Sequence, residues 1–508
     1  MALKPWRRLL VCGLGPLAAC AAQGLAGDLR GSGTQTAEPA GQVYAPSPGQ
    51  TLKVMGYFST GAALVDLDHD GDADLVVSNG NDFAPQPLTV YANRDAGPGT
   101  YLSKRPTWFS NVFDYQVGLA VGDINGDGWT DVAVAAAYDR TRVLGSGRVQ
   151  VFMNRQGTLE QDPSFETDTG FAPVACALGD VDADGDLDLV VAVFAEADGK
   201  PGSQRIYLNQ GGRLEPKPAW VSHTGMNATE VLTADINQDG WMDLAFAAQK
   251  ATVFYGHAPA ADGGVPLPPQ PDWTGDMDPR LPNAYGVDVG RIGQDGGLAL
   301  ALAMNCQEAS PCPSGFFLYQ PTQGTAPVWQ YTQTQNSSKV LLADVNDDGH
   351  LDLLGSQMGV EIKGAPFLLF LGTQGGLQER PAYQSGVELL GQAMAVADLK
   401  QRALRREHAT FTARVPQAVV TLEHRRIVSI DEVRLDGTPI KPPRYAWSPT
   451  QNWISVAGGL RPGQVLEVDY VRSPVLDVFV ATANPNSGSM IFGSQHTAPV
   501  PTPASPSK

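Results

Sequence analysis

The chain has 508 residues, 53 of them Asp or Glu against 35 Lys or Arg, for a formal charge of −18. A surface this acidic repels phosphate backbones and anionic lipid, so nucleic acid is excluded as a partner, and so is direct adsorption to acidic membranes. Such length, with 43% hydrophobic residues, is ample for a large buried core.

At the start, Lys4, Arg7 and Arg8 precede an apolar run over residues 9–19, too short for a permanent membrane span and expected to be a signal peptide. Its end, Leu17-Ala18-Ala19-Cys20, resembles a bacterial lipobox, which makes Cys20 the expected lipidation site, with residues 1–20 as leader. An ordinary signal cut near Ala22 is the alternative. Ala21 in place of Asp after the cysteine implies, within that pattern, sorting to the outer membrane, facing periplasm or cell surface. Residues 21–49, rich in Gly, Ala, Pro and Ser, are expected to be a flexible tether.

Five nine-residue acidic loops follow at nearly constant spacing. The first carries Asp66, Asp68, Asp70, Asp72 and Asp74. The second carries Asp123, Asn125, Asp127, Trp129 and Asp131, and the third Asp180, Asp182, Asp184, Asp186 and Asp188. The fourth carries Asp235, Asn237, Asp239, Trp241 and Asp243, and the last Asp344, Asn346, Asp348, His350 and Asp352. Side-chain oxygens at the first, third, fifth and ninth positions, with a backbone carbonyl at the seventh, suit a hard cation, and glycine at the sixth permits the bend. Calcium fits this loose all-oxygen set better than magnesium, which demands a strict octahedron, so about five Ca2+ sites are expected. One such stretch alone is also an ordinary Asp/Asn/Gly turn; five copies, each before an apolar strand, point to a metal loop.

Two further units are degenerate. Arg291-Ile-Gly293-Gln-Asp295-Gly296 has lost most of its oxygens, and Arg291 is expected to put its guanidinium where an ion would sit. The other begins at Asp398 and resumes at Asp477 after a long insertion. First positions at 66, 123, 180, 235, 291, 344 and 398 lie 53 to 57 residues apart, and each unit has room for four short strands. The expected fold is all-β: a seven-bladed β-propeller over residues 50–399 and 475–495, with small residues before each loop packed at the axis. The Pro-x-aromatic segments at Trp108, Phe165, Trp220, Trp273, Trp329 and Tyr383 are expected to fill gaps between blades instead of stacking on sugars. Residues 51–59 are expected to complete the last blade, so that no edge is left open.

Residues 400–474 carry twelve Lys or Arg against seven Asp or Glu, a net +5 in an acidic protein. Alternating segments at 411–422, 427–435, 453–456 and 465–471 predict a small immunoglobulin-like β-sandwich inserted in the last blade. It is expected to be either an expanded loop or a partner-binding module. Residues 496–508 form a Thr/Pro/Ser-rich tail expected to be disordered. Among the cysteines, Cys306 and Cys312 could close a small disulfide loop outside the cytoplasm, and Cys176 is expected to be a buried small hydrophobe.

The loops, with Gly122-Asp123-Ile-Asn125-Gly126-Asp127-Gly128 as the clearest copy, resemble the FG-GAP (VCBS) repeats of integrin alpha-subunit heads and secreted bacterial proteins. The resemblance implies calcium loops on one propeller face, each between the first and second strands of a blade, and it places the insertion on that face, projecting outward. Such propellers serve adhesion, scaffolding and, as accessory domains, some enzymes. No Gly-x-Ser-x-Gly elbow, His-Glu-x-x-His motif or phosphate-cradling glycine loop occurs. The expected role is non-catalytic: a calcium-stabilised binding or scaffold protein, with a protein or glycan ligand at the cell surface and membrane contact only through the lipid anchor. A glycosidase or lyase with its site in the propeller axis is the alternative.

Overall fold

The computed structural model describes residues 43–495 apart from 53–56, 82, 95–99, 260–263, 278–282, 294–296, 306–313, 359–363 and 484–487. The leader with Cys20, the tail, and the expected pair Cys306 and Cys312 lie outside the described residues. Among the described residues there is no helix, and none is long and apolar enough to cross a membrane.

Seven four-stranded antiparallel sheets carry the repeat units. The first is Ser59–Val65, Asp74–Asn79, Thr89–Tyr91 and Trp108–Phe109, paired in that order. The next five follow the same meander, opening with Tyr115–Gly122, Phe171–Gly179, Glu230–Ala234, Asn283–Arg291 and Ser337–Ala343. The seventh combines Gly391–Ala397, Asp477–Thr482 and Ser489–Phe492 with Gln50–Leu52 from the other end of the chain. The expected segment 51–59 is therefore divided: Gln50–Leu52 pairs with the last sheet, whereas Ser59 opens the first. The opening strand of each sheet lies against that of the next, and the seventh against the first, so the sheets close into a propeller around one axis.

Close approach at the axis explains the small residues there. A Cβ on Gly118 would sit 2.8 Å from the Ala175 Cα, and one on Gly286 would sit 3.0 Å from the Lys339 Cα. Second strands such as Asp188–Glu196 are buried on both faces because each sheet is stacked between two others, hence their unbroken apolar runs. The repeating aromatics fill the gaps between sheets: Trp108 meets Phe152 edge-on, Trp220 meets Phe254, Trp273 meets Tyr319 and Trp329 meets Phe370. Cys176 is buried, and desolvation pushes its thiol up to about 12.

The insertion is two packed sheets. Arg405–Thr412, Val465–Arg472, Ile427–Leu435 and Thr438–Ile440 form one, and Gln417–Thr421, Trp453–Leu460 and Tyr445–Trp447 the other. Val420, Ile454, Leu466 and Val468 lie in the core between them. The stretch expected as one strand over 411–422 is broken, because the chain passes from the first sheet to the second around Pro416. A larger correction concerns placement: the insertion does not project outward. It folds back over the loop-bearing end of the propeller, where Trp453, Val419 and Ala446 share a core with Ile124, Val181 and Leu187.

Candidate metal loops and the covered axial end

Each of the five acidic loops joins the first and second strands of its sheet and is built by the same hydrogen bonds. The first-position aspartate accepts the N–H of the glycine: Asp66 from Gly71 (3.0 Å), Asp123 from Gly128 (2.8 Å), Asp180 from Gly185 (3.2 Å), Asp235 from Gly240 (3.0 Å) and Asp344 from Gly349 (2.9 Å). Those glycines have φ between 84° and 98°, a region that a side chain would strain. The fifth-position carboxylate accepts the seventh N–H, as Asp70 does from Asp72, Asp127 from Trp129, Asp184 from Asp186, Asp239 from Trp241 and Asp348 from His350.

The ninth-position aspartate ties the loop to its sheet. Asp131 accepts N–H groups from Ile124 (2.9 Å) and Asn154 (2.7 Å), and Asp74, Asp188, Asp243 and Asp352 make the equivalent pair. Burial holds these carboxyls high without a cation, at about 7 for Asp74 and Asp131 and about 8 for Asp243 and Asp352, with Asp188 also raised. Asp131→Ala would leave two buried N–H groups without acceptors, a loss of about 1–3 kcal/mol each. Urea unfolding should show a lower midpoint for that variant, with Asp131→Asn falling between it and the parent.

The loops divide into two kinds. In the first and third, where the third position is Asp, carboxylate oxygens of Asp66, Asp68 and Asp74, and of Asp180, Asp182 and Asp184, all come within 4.8 Å of one another. Asp66 Oδ1 and Asp180 Oδ1 are buried without a hydrogen-bond partner, and Asp180 is only 1% exposed. Like charges this close, with an orphaned oxygen among them, are the donor set a divalent cation satisfies. Burial and the neighbouring carboxylates raise Asp180 to about 7 and Asp184 to about 6. In the other three, the Asn side chain supplies a proton where the ion would supply charge: Nδ2 of Asn125, Asn237 and Asn346 donates to Asp127 (3.0 Å), Asp239 (2.9 Å) and Asp348 (2.9 Å).

Asparagines that sequence reasoning left without a role stitch the units together. Asn154 Nδ2 donates to Leu67 O (2.8 Å) and Asn209 Nδ2 to Ile124 O (2.6 Å), each reaching the preceding loop. Asn93 Nδ2 reaches Leu399 O (2.9 Å), across the seam between last and first units. Their signal was visible as an Asn two residues past the third strand of each of their units. His69 and Trp129, from neighbouring loops, stack with centroids 4.0 Å apart. Arg291 Nη1 donates to Gln238 Oε1 of the fourth loop (3.2 Å).

The insertion covers this face. Ser455 Oγ donates to Asp180 Oδ2 (2.7 Å), Gly458 N to Ala183 O (2.8 Å), and Ala418 N and Val419 N to Gly240 O (2.8 and 2.9 Å). Arg405 and Arg472 both pair with Asp347 (2.9 and 3.1 Å), which accounts for part of the basic surplus. Between the insertion and the axis remains a cavity of about 180 Å³, with Trp447, Trp453 and Arg426 on its lid side. On the axis itself an ion pair of Glu230 with Lys339 links the fourth and sixth sheets.

Comparison with known proteins finds the same repeat. The FG-GAP-like repeat family matches residues 66–134, 141–191 and 192–246, and the FG-GAP repeat matches 117–152. Residues 66–246 thus carry FG-GAP repeats. These repeats are similar to those of integrin alpha-3 of Cricetulus griseus (35% identical over 112 residues, 21% of this chain and 10% of the relative). They are also similar to integrin alpha-8 of Gallus gallus (29% over 166 residues, 28% and 16%) and integrin alpha-IIb of Mus musculus (30% over 206 residues, 32% and 20%). The FG-GAP chain thus matches a tenth to a fifth of the length of these relatives. Among solved structures, Sqt1 of Saccharomyces cerevisiae aligns with a TM-score of 0.41 at 9% identity over 89% of this chain and 100% of that one. The Dos1 propeller aligns at 0.37 and 8% identity over 84% and 94%.

Proposed function

We propose that this FG-GAP protein is a seven-bladed, calcium-stabilised binding scaffold, non-catalytic, exported and anchored through Cys20, which recognises a protein or glycan ligand at the cell surface. The observation that carries the calcium reading is the orphaned, buried Asp180 Oδ1 beside Asp182 and Asp184. Asp66, Asp68, Asp70 and Asp74, with their counterparts in the other four loops, would hold the ions, which would supply rigidity and charge neutralisation. Five ions at +2 would bring the formal −18 to about −8. The all-Asp first and third loops are the more demanding of a cation, since the Asn loops are partly neutralised from within.

The inserted domain reads as an immunoglobulin-like sandwich that serves as a fixed cover. Several of its arginines face the propeller's own aspartates, so it presents less free positive charge than its composition implies. A cover over the loop-side mouth of the axis also favours binding at an outer surface over catalysis in the axial pocket. The test is an array of cell-surface proteins and glycans probed with the whole protein, in calcium and in chelator. Saturable binding that weakens in chelator is the expected result. Polysaccharide cleavage without saturable binding would replace this reading with the enzymatic one.

A further inference from the structure

In the seventh unit the loop is interrupted, yet its two anchoring carboxylates keep their places. Asp477, at the ninth position, accepts Leu399 N (3.1 Å) and Ser494 N (2.8 Å), the same pair of bonds that Asp131 makes. Asp398, at the first position, accepts Arg402 N (2.7 Å), just as Asp123 accepts Asp127 N (3.0 Å). Arg402 therefore occupies the fifth position, where the intact loops have a carboxylate. Its guanidinium turns inward between the anchors: Nε lies 3.1 Å from Asp398 Oδ1, Nη2 2.5 Å from Asp477 Oδ2, and Nη1 donates to Ser494 O (3.2 Å). The two carboxylate side chains are 1% and 0% exposed. Ser473 Oγ, where the chain returns from the insertion, donates to Asp398 Oδ2 (2.7 Å).

We infer that Arg402 is a built-in cation that takes the place of a divalent ion in the seventh unit, so that the unit closing the ring is held without metal. An arginine is charged at every physiological pH and presents several donors in one plane, so it can bridge two carboxylates as an ion would while being covalently present at all times. In the fifth unit, the other one lacking a donor set, guanidinium groups meet a carboxylate of the first strand, Asp288, instead of one in the loop. Arg425 from the insertion lies 2.7 Å from Asp288 Oδ1, both side chains 2% exposed, and Arg426 lies 3.5 Å from Asp288 Oδ2. Guanidinium groups at or from the insertion thus reach both units whose loops cannot take an ion. The proposal rests on the calcium reading only for the contrast with the five acidic loops.

The experiment is thermal melting of the whole protein and of Arg402→Lys, Arg402→Met and Arg402→Asp, each in chelator and in millimolar calcium. In chelator, Arg402→Met should melt about 4 °C or more below the parent, because it strands two buried carboxylates, and Arg402→Lys should recover part of the loss. Arg402→Asp restores the fifth-position carboxylate, so it should gain more from calcium than the parent does. Parental melting of Arg402→Met in chelator, or no extra calcium gain in Arg402→Asp when the parent itself responds, overturns the proposal. A parent indifferent to calcium would defeat the calcium reading alone, leaving the methionine and lysine variants to decide on Arg402. Hydrogen exchange on the unmodified protein decides the matter if the variants fail to fold. The amides of Leu399, Arg402 and Ser494 should stay protected in chelator while those of Gly71 and Gly185 lose protection; equal loss in both groups counts against Arg402.

Discussion

In excess chelator the protein should melt far below its temperature in calcium. A site with a dissociation constant of about 10⁻⁴ M gains about 2.7 kcal/mol when free calcium is ~100-fold higher, and several loops contribute. The ion-free protein should also show an unusual pH dependence. Asp74 and Asp131 at about 7, with Asp243 and Asp352 at about 8, bind protons more tightly folded than unfolded. Between the ordinary aspartate value near 4 and these raised values the native state therefore holds more protons, and stability falls as pH rises. Each tenfold gain in one carboxyl's proton affinity on folding is worth about 1.4 kcal/mol, so even a fraction of that from each aspartate moves the melt by several degrees. With calcium bound the sign reverses, because acid then displaces the ion. Melting curves across this pH window, with and without chelator, check both; superimposable curves would remove calcium from the account.

The second large effect concerns the seam of the ring. Tyr44 is fully buried, donates its hydroxyl to Leu476 O (3.0 Å), and packs edge-on against Phe367 and Tyr383. Gln50–Leu52, a few residues on, supplies the last strand of the seventh sheet. Tyr44→Ala should lose about 3–5 kcal/mol and lower the melting temperature by about 5 °C or more. Truncation to residue 53 should do worse, since it also bares the edge of Ser489–Phe492 to pairing with other chains. Truncation to residue 42, which keeps Tyr44 and Gln50–Leu52, should leave the melt unchanged. A protein starting at residue 53 that melts like the full chain and stays monomeric would mean that the ring does not depend on this strand.

Much of the architecture was legible because it is written in local, repeated chemistry. An Asp-x-Asp/Asn-x-Asp-Gly-x-x-Asp loop folds through contacts within nine residues, so the loops between Asp66 and Asp352 and the strands after them could be read one at a time. The small residues at the axis and the aromatic in the fourth strand of the first six sheets were readable for the same reason: every unit meets a similar neighbour.

Contacts made once, between residues far apart in the chain, carry no such periodic mark. Nothing in the local sequence says that Ser455 meets Asp180, that Arg425 is buried against Asp288, or that the insertion lies down over the loops. Its +5 charge looked like a surface for a partner, yet several of those cations face aspartates of the same chain. Arg402 shows the limit most plainly. Its position four residues after Asp398 was visible, but the carboxylate completing its site, Asp477, lies beyond the whole insertion. Short-range hydrogen bonding thus determined the loops and strands from the sequence alone, and only tertiary packing, which brings distant charges together out of water, decided what neutralises them.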